Sequence, residues 1–263
     1  MPGAETGRYG MMSRMAKRRS VGAIREPVDN NRRNFILIGI LGVVTVLAVS
    51  GGLFYDSARS INADTATENL KPLTVVRPAD GPLKALFIGD SLTAGLYASS
   101  ESQGFRSQMV AALEQSGPVE LSLGQRIGGT VGEISEITNI GSGNQLAVVE
   151  LGTNDFGKTD LDVFEAQYAR LLDAIRATSP DAALVCAGVW QARYYGGPFD
   201  AIIARQCAEH GGKYRVLNDL YADADNRGPA GVEAFGGVSD DFHPNDDGYG
   251  AISERLLGVL TLP

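Results

Sequence analysis

The chain has 263 residues, 44% hydrophobic and 21% charged, a composition that excludes a wholly disordered protein and suits one good-sized domain with its own core. Its net charge of −8 argues against a nucleic-acid partner, and its two cysteines exclude both a disulfide-rich scaffold and a four-cysteine zinc site. The charge is uneven: residues 1–34 hold eight Lys/Arg against three acids, and everything after them is strongly acidic, as expected of a topology signal ahead of a body.

Residues 35–55 read FILIGILGVVTVLAVSGGLFY and carry no charge. At about 1.5 Å per residue they reach ~30 Å, the thickness of a bilayer's hydrocarbon core. They lack the polar face that a helix buried in a soluble core keeps. Arg32 and Arg33 stand directly before them, with Arg25 and the Arg18-Arg19 pair further back, which orients the tail to the cytoplasm. The expectation is a basic cytoplasmic tail at 1–34 and a single-pass transmembrane signal-anchor at 35–55, with the body on the far side of the cell membrane. A second reading stays open, because the Arg32-Arg33 pair and the small residues Ala48-Val49-Ser50 also fit an export signal that is cleaved to release a secreted body. Residues 56–82 are polar with three prolines and read as a linker, within which 73–76 could add an edge strand. The domain is expected at 83–263.

Within it, residues 84–90 form a short apolar run ending in Gly-Asp, as a buried strand does. Residues 105–116 carry Phe105, Met109, Ala112 and Leu113 at helical spacing, and Gly117-Pro118 ends the helix. Residues 119–123 alternate as a strand, and 146–151 (LAVVEL) read as a buried one. Asp160 can cap a helix whose Leu161, Phe164, Tyr168, Leu171, Leu172 and Ile175 make one apolar stripe, stopped by Ser179-Pro180. A strand at 182–190, a helix at 199–209, a strand at 214–220 and a helix at 245–260 complete the chain. This alternation predicts an α/β fold, a three-layer α/β/α sandwich with a mainly parallel sheet, with the site in loops at the strands' carboxyl ends. Cys186 in a strand and Cys207 in the next helix are expected as buried free thiols, a disulfide being the alternative outside the cell.

Four of those loops carry chemistry: Gly89-Asp90-Ser91-Leu92, Ile127-Gly128-Gly129-Thr130, Gly152-Thr153-Asn154-Asp155 and Asp240-Asp241-Phe242-His243-Pro244. A serine hydroxyl needs a base to become a nucleophile, histidine is the natural base, and a carboxylate beside it fixes its tautomer. The chain has two histidines. His210 lies between Glu209 and Gly211 at the end of a helix and reads as a solvated terminus residue, which leaves His243.

These four blocks, in this order, resemble the SGNH or GDSL-type hydrolase family. The resemblance implies a flavodoxin-like sheet over nearly all of 83–263. It implies Ser91 as nucleophile, His243 as general base and Asp240 as the residue that orients His243. It also implies an oxyanion hole made by the Ser91 N–H, the Gly128 N–H and the Asn154 side chain, with Gly129 the alternative to Gly128. Asp241 is then a loop-surface carboxylate, and Asp90 and Asp155 hold loops through backbone hydrogen bonds. The implied activity is a serine esterase or lipase-type hydrolase, working through an acyl-enzyme without metal or cofactor. Its partner is a carboxylic ester: a small acyl ester, an acetylated glycan or a lipid. An O-acyltransferase acting on an envelope glycan and a non-catalytic glycan-binding module are the alternatives. Trp190, Tyr194 and Tyr195 either line a substrate pocket or pack the structure, and Arg193 reads as a solvated loop charge.

Overall fold

A computed structural model describes residues 71–263. The expected tail, the membrane segment at 35–55 and most of the linker lie outside the described residues. In chain order the elements are β1 (Leu73–Thr74), β2 (Leu83–Gly89), α1 (Ser91–Ala94), α2 (Phe105–Glu114), β3 (Val119–Gln125), α3 (Val131–Ile137), β4 (Leu146–Glu150), α4 (Leu161–Thr178), β5 (Ala183–Ala187), α5 (Arg193–Glu209), β6 (Lys213–Arg215), α6 (Asn218–Ala222), β7 (Glu233–Ala234), β8 (Gly237–Val238), α7 (Asp246–Leu257) and β9 (Leu260–Thr261).

Five strands form one parallel sheet in the order β3-β2-β4-β5-β6. Its middle strands are buried on both faces, which is why β2, β4 and β5 read as unbroken apolar runs and not as alternations. Successive side chains feed two cores. Ala85, Phe87, Val148 and Val185 meet Phe105, Met109 and Leu113 of α2 and Tyr249, Ile252 and Leu256 of α7. On the other face, Leu86, Ile88, Val149 and Leu184 meet Ile134 of α3, the Phe164–Ile175 stripe of α4 and Ile202 and Ile203 of α5. The expected three layers and parallel sheet are therefore present. Gly89 pairs with Gln125 and Glu150, Glu150 with Ala187, and Ala187 with Arg215, so all five strands end level and their following loops open on one edge.

Several boundaries differ from the sequence expectation. The strand expected at 73–76 forms over Leu73–Thr74, parallel to β9. Val75 is buried, and the Arg77 guanidinium donates to the carbonyls of Leu113, Gly117 and Pro118. The end of the expected linker is thus fastened to the domain. The strand expected over 182–190 stops at Ala187, and the one over 214–220 at Arg215. Beyond Ala187 and Arg215 neither strand has a ladder partner, so the backbone turns to other acceptors. The Val189 N–H goes to Asp200, the Trp190 N–H to Thr153, and residues 218–222 coil into α6. The helix expected from Phe199 begins at Arg193 and runs through Gly196-Gly197-Pro198. That triplet is poor in helix propensity, but Gly196 is buried where a Cβ would strike Val189. Cys186 and Cys207 are bonded to each other, with Cα atoms 6.2 Å apart, which corrects the free-thiol expectation. Both point into the same core between β5 and α5, and this brings them within bonding range.

Candidate active site

The site begins where β2 turns into α1. A Cβ on Gly89 would run into the Thr93 side chain and the Glu150 carbonyl, so only glycine lets the strand pass so close to β4. Asp90 caps the short helix through the Leu92 N–H at 3.0 Å, and Gly95, at φ +75°, ends it in the left-handed region. This corner holds Ser91, 5% exposed, at the open edge of the sheet.

The loop before α7 supplies the opposing group. The Asp240 carboxylate accepts the backbone N–H groups of Phe242 (2.9 Å) and His243 (2.8 Å), which curls the loop, and also receives His243 Nδ1 at 2.8 and 3.0 Å. The imidazole's other nitrogen, Nε2, lies 3.0 Å from Ser91 Oγ. With Nδ1–H given to a carboxylate, the Nε2 lone pair faces the serine hydroxyl, the tautomer that a base requires. Phe242 and Tyr97 flank the imidazole edge-on, with centroids at 5.3 and 5.0 Å. Behind them the buried Trp190 donates its indole N–H to the Phe242 carbonyl at 2.8 Å. Desolvation raises the Asp240 carboxyl, but the His243 and Phe242 hydrogen bonds and the His243 charge outweigh it and hold it below the usual carboxylate range.

Asn154 sits in the turn after β4. Its Nδ2 donates to Asp90 Oδ2 at 2.7 Å, and its second N–H has no acceptor among the described residues. The neighbouring Asp155 is buried, accepts the Val131 N–H (3.0 Å) and the Thr159 hydroxyl (2.8 Å), and joins this turn to α3. Gly128 lies after β3 at φ +75°. The Gly129 N–H is already spent on the Arg126 carbonyl at 3.0 Å, which favours Gly128 of the two glycines considered.

The structure thus brings Ser91, His243 and Asp240 into one hydrogen-bonded line and ties Asn154 to the same corner through Asp90. Asp155 holds its loop as expected. Asp90 does more than expected, since it also touches Asn154 and lies 3.4 Å from Ser91 Oγ. Asp241 is exposed and accepts the Ala230 N–H. His210 is half-buried at the far end of α5, with its ring held by Asp173 and the Gln206 carbonyl; it is neither in the site nor the solvated residue expected. Trp190 is core packing, whereas Tyr194, Tyr195 and Arg193 are exposed at the start of α5. The sequence reading missed Glu150 and Tyr97. Glu150 is fully buried beneath the corner, and its Oε2 accepts the Thr93 hydroxyl at 3.0 Å and the Asp90 N–H at 3.4 Å. An acid inside the apolar run LAVVEL was its only sequence signal. Tyr97 stands at φ +68° against His243, a backbone conformation that no sequence pattern announces.

A profile of the GDSL-like lipase/acylhydrolase family matches residues 87–251, a range that contains Ser91, Gly128, Asn154, Asp240 and His243. No curated protein matches the chain. Among solved structures, the phospholipase A1 from Streptomyces albidoflavus NA297 superposes with a TM-score of 0.51 at 14% identity, over 68% of this chain and 100% of that one. The family 3 carbohydrate esterase of Clostridium thermocellum gives 0.51 at 16% identity, over 68% and 95%. An active-site mutant of a family two carbohydrate esterase from Clostridium thermocellum gives 0.49 at 16% identity over 67% of this chain, which spans 63% of that protein's length. At their identities, the likeness to the first two is one of fold.

Proposed function

The chain belongs to the GDSL-like lipase/acylhydrolase family, and from that premise we propose that it is a serine esterase cleaving acyl or acetyl esters through an acyl-enzyme on Ser91. The observation that carries this reading is the 3.0 Å approach of His243 Nε2 to Ser91 Oγ, with Asp240 2.8 Å behind the imidazole. His243 takes the hydroxyl proton as Oγ attacks the ester carbonyl carbon. The oxyanion is met by the N–H groups of Ser91 and Gly128 and by the free N–H of Asn154, each such donor being worth roughly 10²–10³ in rate. Collapse breaks the carbonyl–alkoxy bond, and the alcohol leaves with the proton held by His243. Water then repeats the sequence on the acyl-enzyme and frees the acid. Asp240, kept ionised by its three donors, stabilises the imidazolium in both halves.

The substrate is proposed to be an ester of the cell envelope, an acetylated glycan or a lipid, reached on the outer side of the membrane. The basic tail and the uncharged run at 35–55 support that location. So does the Cys186–Cys207 disulfide, a bond that persists in oxidising compartments. The body is proposed to stay anchored by residues 35–55, or to be secreted if that segment is removed. Ser91→Ala tests the activity: hydrolysis of p-nitrophenyl acetate is expected to fall at least about 10³-fold. A variant that retains the wild-type rate would refute the reading.

A further inference from the structure

Glu150 and Asp90 are both fully buried, and they touch: the Asp90 N–H reaches Glu150 Oε2 at 3.4 Å. Two carboxyl groups bond only through a proton that one of them carries. Glu150 Oε2 is occupied by the Thr93 hydroxyl, whereas Oε1 is buried and receives a hydrogen bond from no donor among the described residues. An ionised carboxylate with one oxygen bare in a dry interior is far costlier than a neutral acid there. Asp90, by contrast, is built as an anion: it accepts from Leu92 N–H (3.0 Å) and Asn154 Nδ2 (2.7 Å). A proton on Glu150 would supply a third donor, within the four lone-pair sites of a carboxylate.

We propose that Glu150 is a positioning residue that stands as an un-ionised carboxylic acid, with its proton on Oε1 donated to Asp90, so that the pair's single negative charge stays on Asp90 and holds the Asn154 amide and the Ser91 corner in place. An ionised Glu150 would drive that proton onto Asp90, turning an acceptor of the Asn154 N–H into a competing donor. The titratable groups that face the pair are an imidazole and two tyrosines. His243 faces it from the last loop, with Asp240 behind; Tyr168 faces it from α4 and Tyr249 from α7, and burial first of all pushes both tyrosines up. Arg106, on the adjoining helix, is engaged by the Thr93 carbonyl and Glu101. Burial pushes both carboxyls upward, and the neighbouring Asp90 charge pushes Glu150 further, well above its ordinary range. The positioning role rests on the esterase reading, while the protonation state does not.

The test uses the full chain as wild type, Glu150→Gln and Glu150→Leu. Gln mimics the neutral acid: its carbonyl can take the Thr93 hydroxyl and its N–H can go to Asp90. It should keep kcat within about threefold, whereas Leu should lower kcat about tenfold or more at unchanged KM, as expected for a misplaced oxyanion donor. Melting temperature read against pH reports the proton directly. Above about pH 4.5 an unfolded wild-type chain releases the Glu150 proton while the fold must keep it, so the wild type loses stability that the Gln variant does not. The Gln variant's advantage should therefore grow as pH rises above about 4.5, at roughly 3 °C per pH unit for a domain of this size while the fold keeps the proton. A flat or shrinking difference overturns the proposal, as does a Gln variant as impaired as Leu or a Leu variant with wild-type kcat. If Leu fails to fold, the Gln variant's kcat and thermal slope still decide. Turnover that survives Ser91→Ala would strike the esterase reading alone and leave the thermal slope intact.

Discussion

Asp240 uses one carboxylate for two tasks, since it shapes the loop through the N–H groups of Phe242 and His243 and receives the imidazole from the same position. Asp240→Asn should therefore disturb both. Its kcat should fall by about 10³–10⁴-fold, because an amide can present its NH₂ to Nδ1 and favour the wrong tautomer. Its stability loss should depend on pH. The Asp240 carboxyl is held below its ordinary range, so its contribution is present above the unfolded value near 4 and fades as pH falls through the folded one. The difference in melting temperature between wild type and Asp240→Asn should be full at pH 7 and shrink below about pH 4; a difference that does not change with pH would contradict the paired carboxylate. Asn154→Ala tests the opposite side of the site, with an expected drop of about 10²–10³-fold in kcat and little change in KM. Ser91, Asn154, Asp240 and His243 were legible in the sequence because four short blocks stand in a fixed order. Tyr97 and Glu150 were not, because one acts through a backbone twist and the other through burial, and both arise only once distant segments meet.

At the scale of elements, the corner between β2 and α1 leaves no room for a side chain at Gly89, where a Cβ meets the Glu150 carbonyl and Thr93. Gly89→Ala should cost about 3 kcal/mol, or ~10 °C in melting temperature, because the new Cβ would collide with the buried Thr93 side chain and with the Glu150 backbone carbonyl. A loss under 2 °C would show that the corner has slack. Sequence periodicity found β2, β4 and α4 well, since each is long or uniform enough for burial to dictate the pattern. It overran β5 and β6, where apolar residues continue past the last ladder partner, and it passed over α3, although Thr130 and Glu133 form a capping box. It also started α5 late, because Gly196-Gly197-Pro198 reads as a loop until the packing of Gly196 on Val189 is known.

Across the whole domain, the Cys186–Cys207 bond joins β5 to α5 over 21 residues. Closing a loop of that size restricts the unfolded chain and is worth about 3 kcal/mol. Cys207→Ser should lower the melting temperature by roughly 6–12 °C while the triad geometry and kcat persist, and a reductant should do the same to the wild type and nothing further to the variant. The sheet's level carboxyl ends collect loops far apart in sequence, so that Ser91 and His243, 152 residues apart, share a hydrogen bond. The most direct measurement is to mix the full chain with p-nitrophenyl acetate, quench in acid within the first turnover and map the acetyl group by peptide mass spectrometry. Near-stoichiometric acetylation of Ser91, lost in His243→Ala, is the predicted result. Steady turnover with Ser91 unmodified, or with the acetyl group on another residue, would contradict the esterase mechanism at its root.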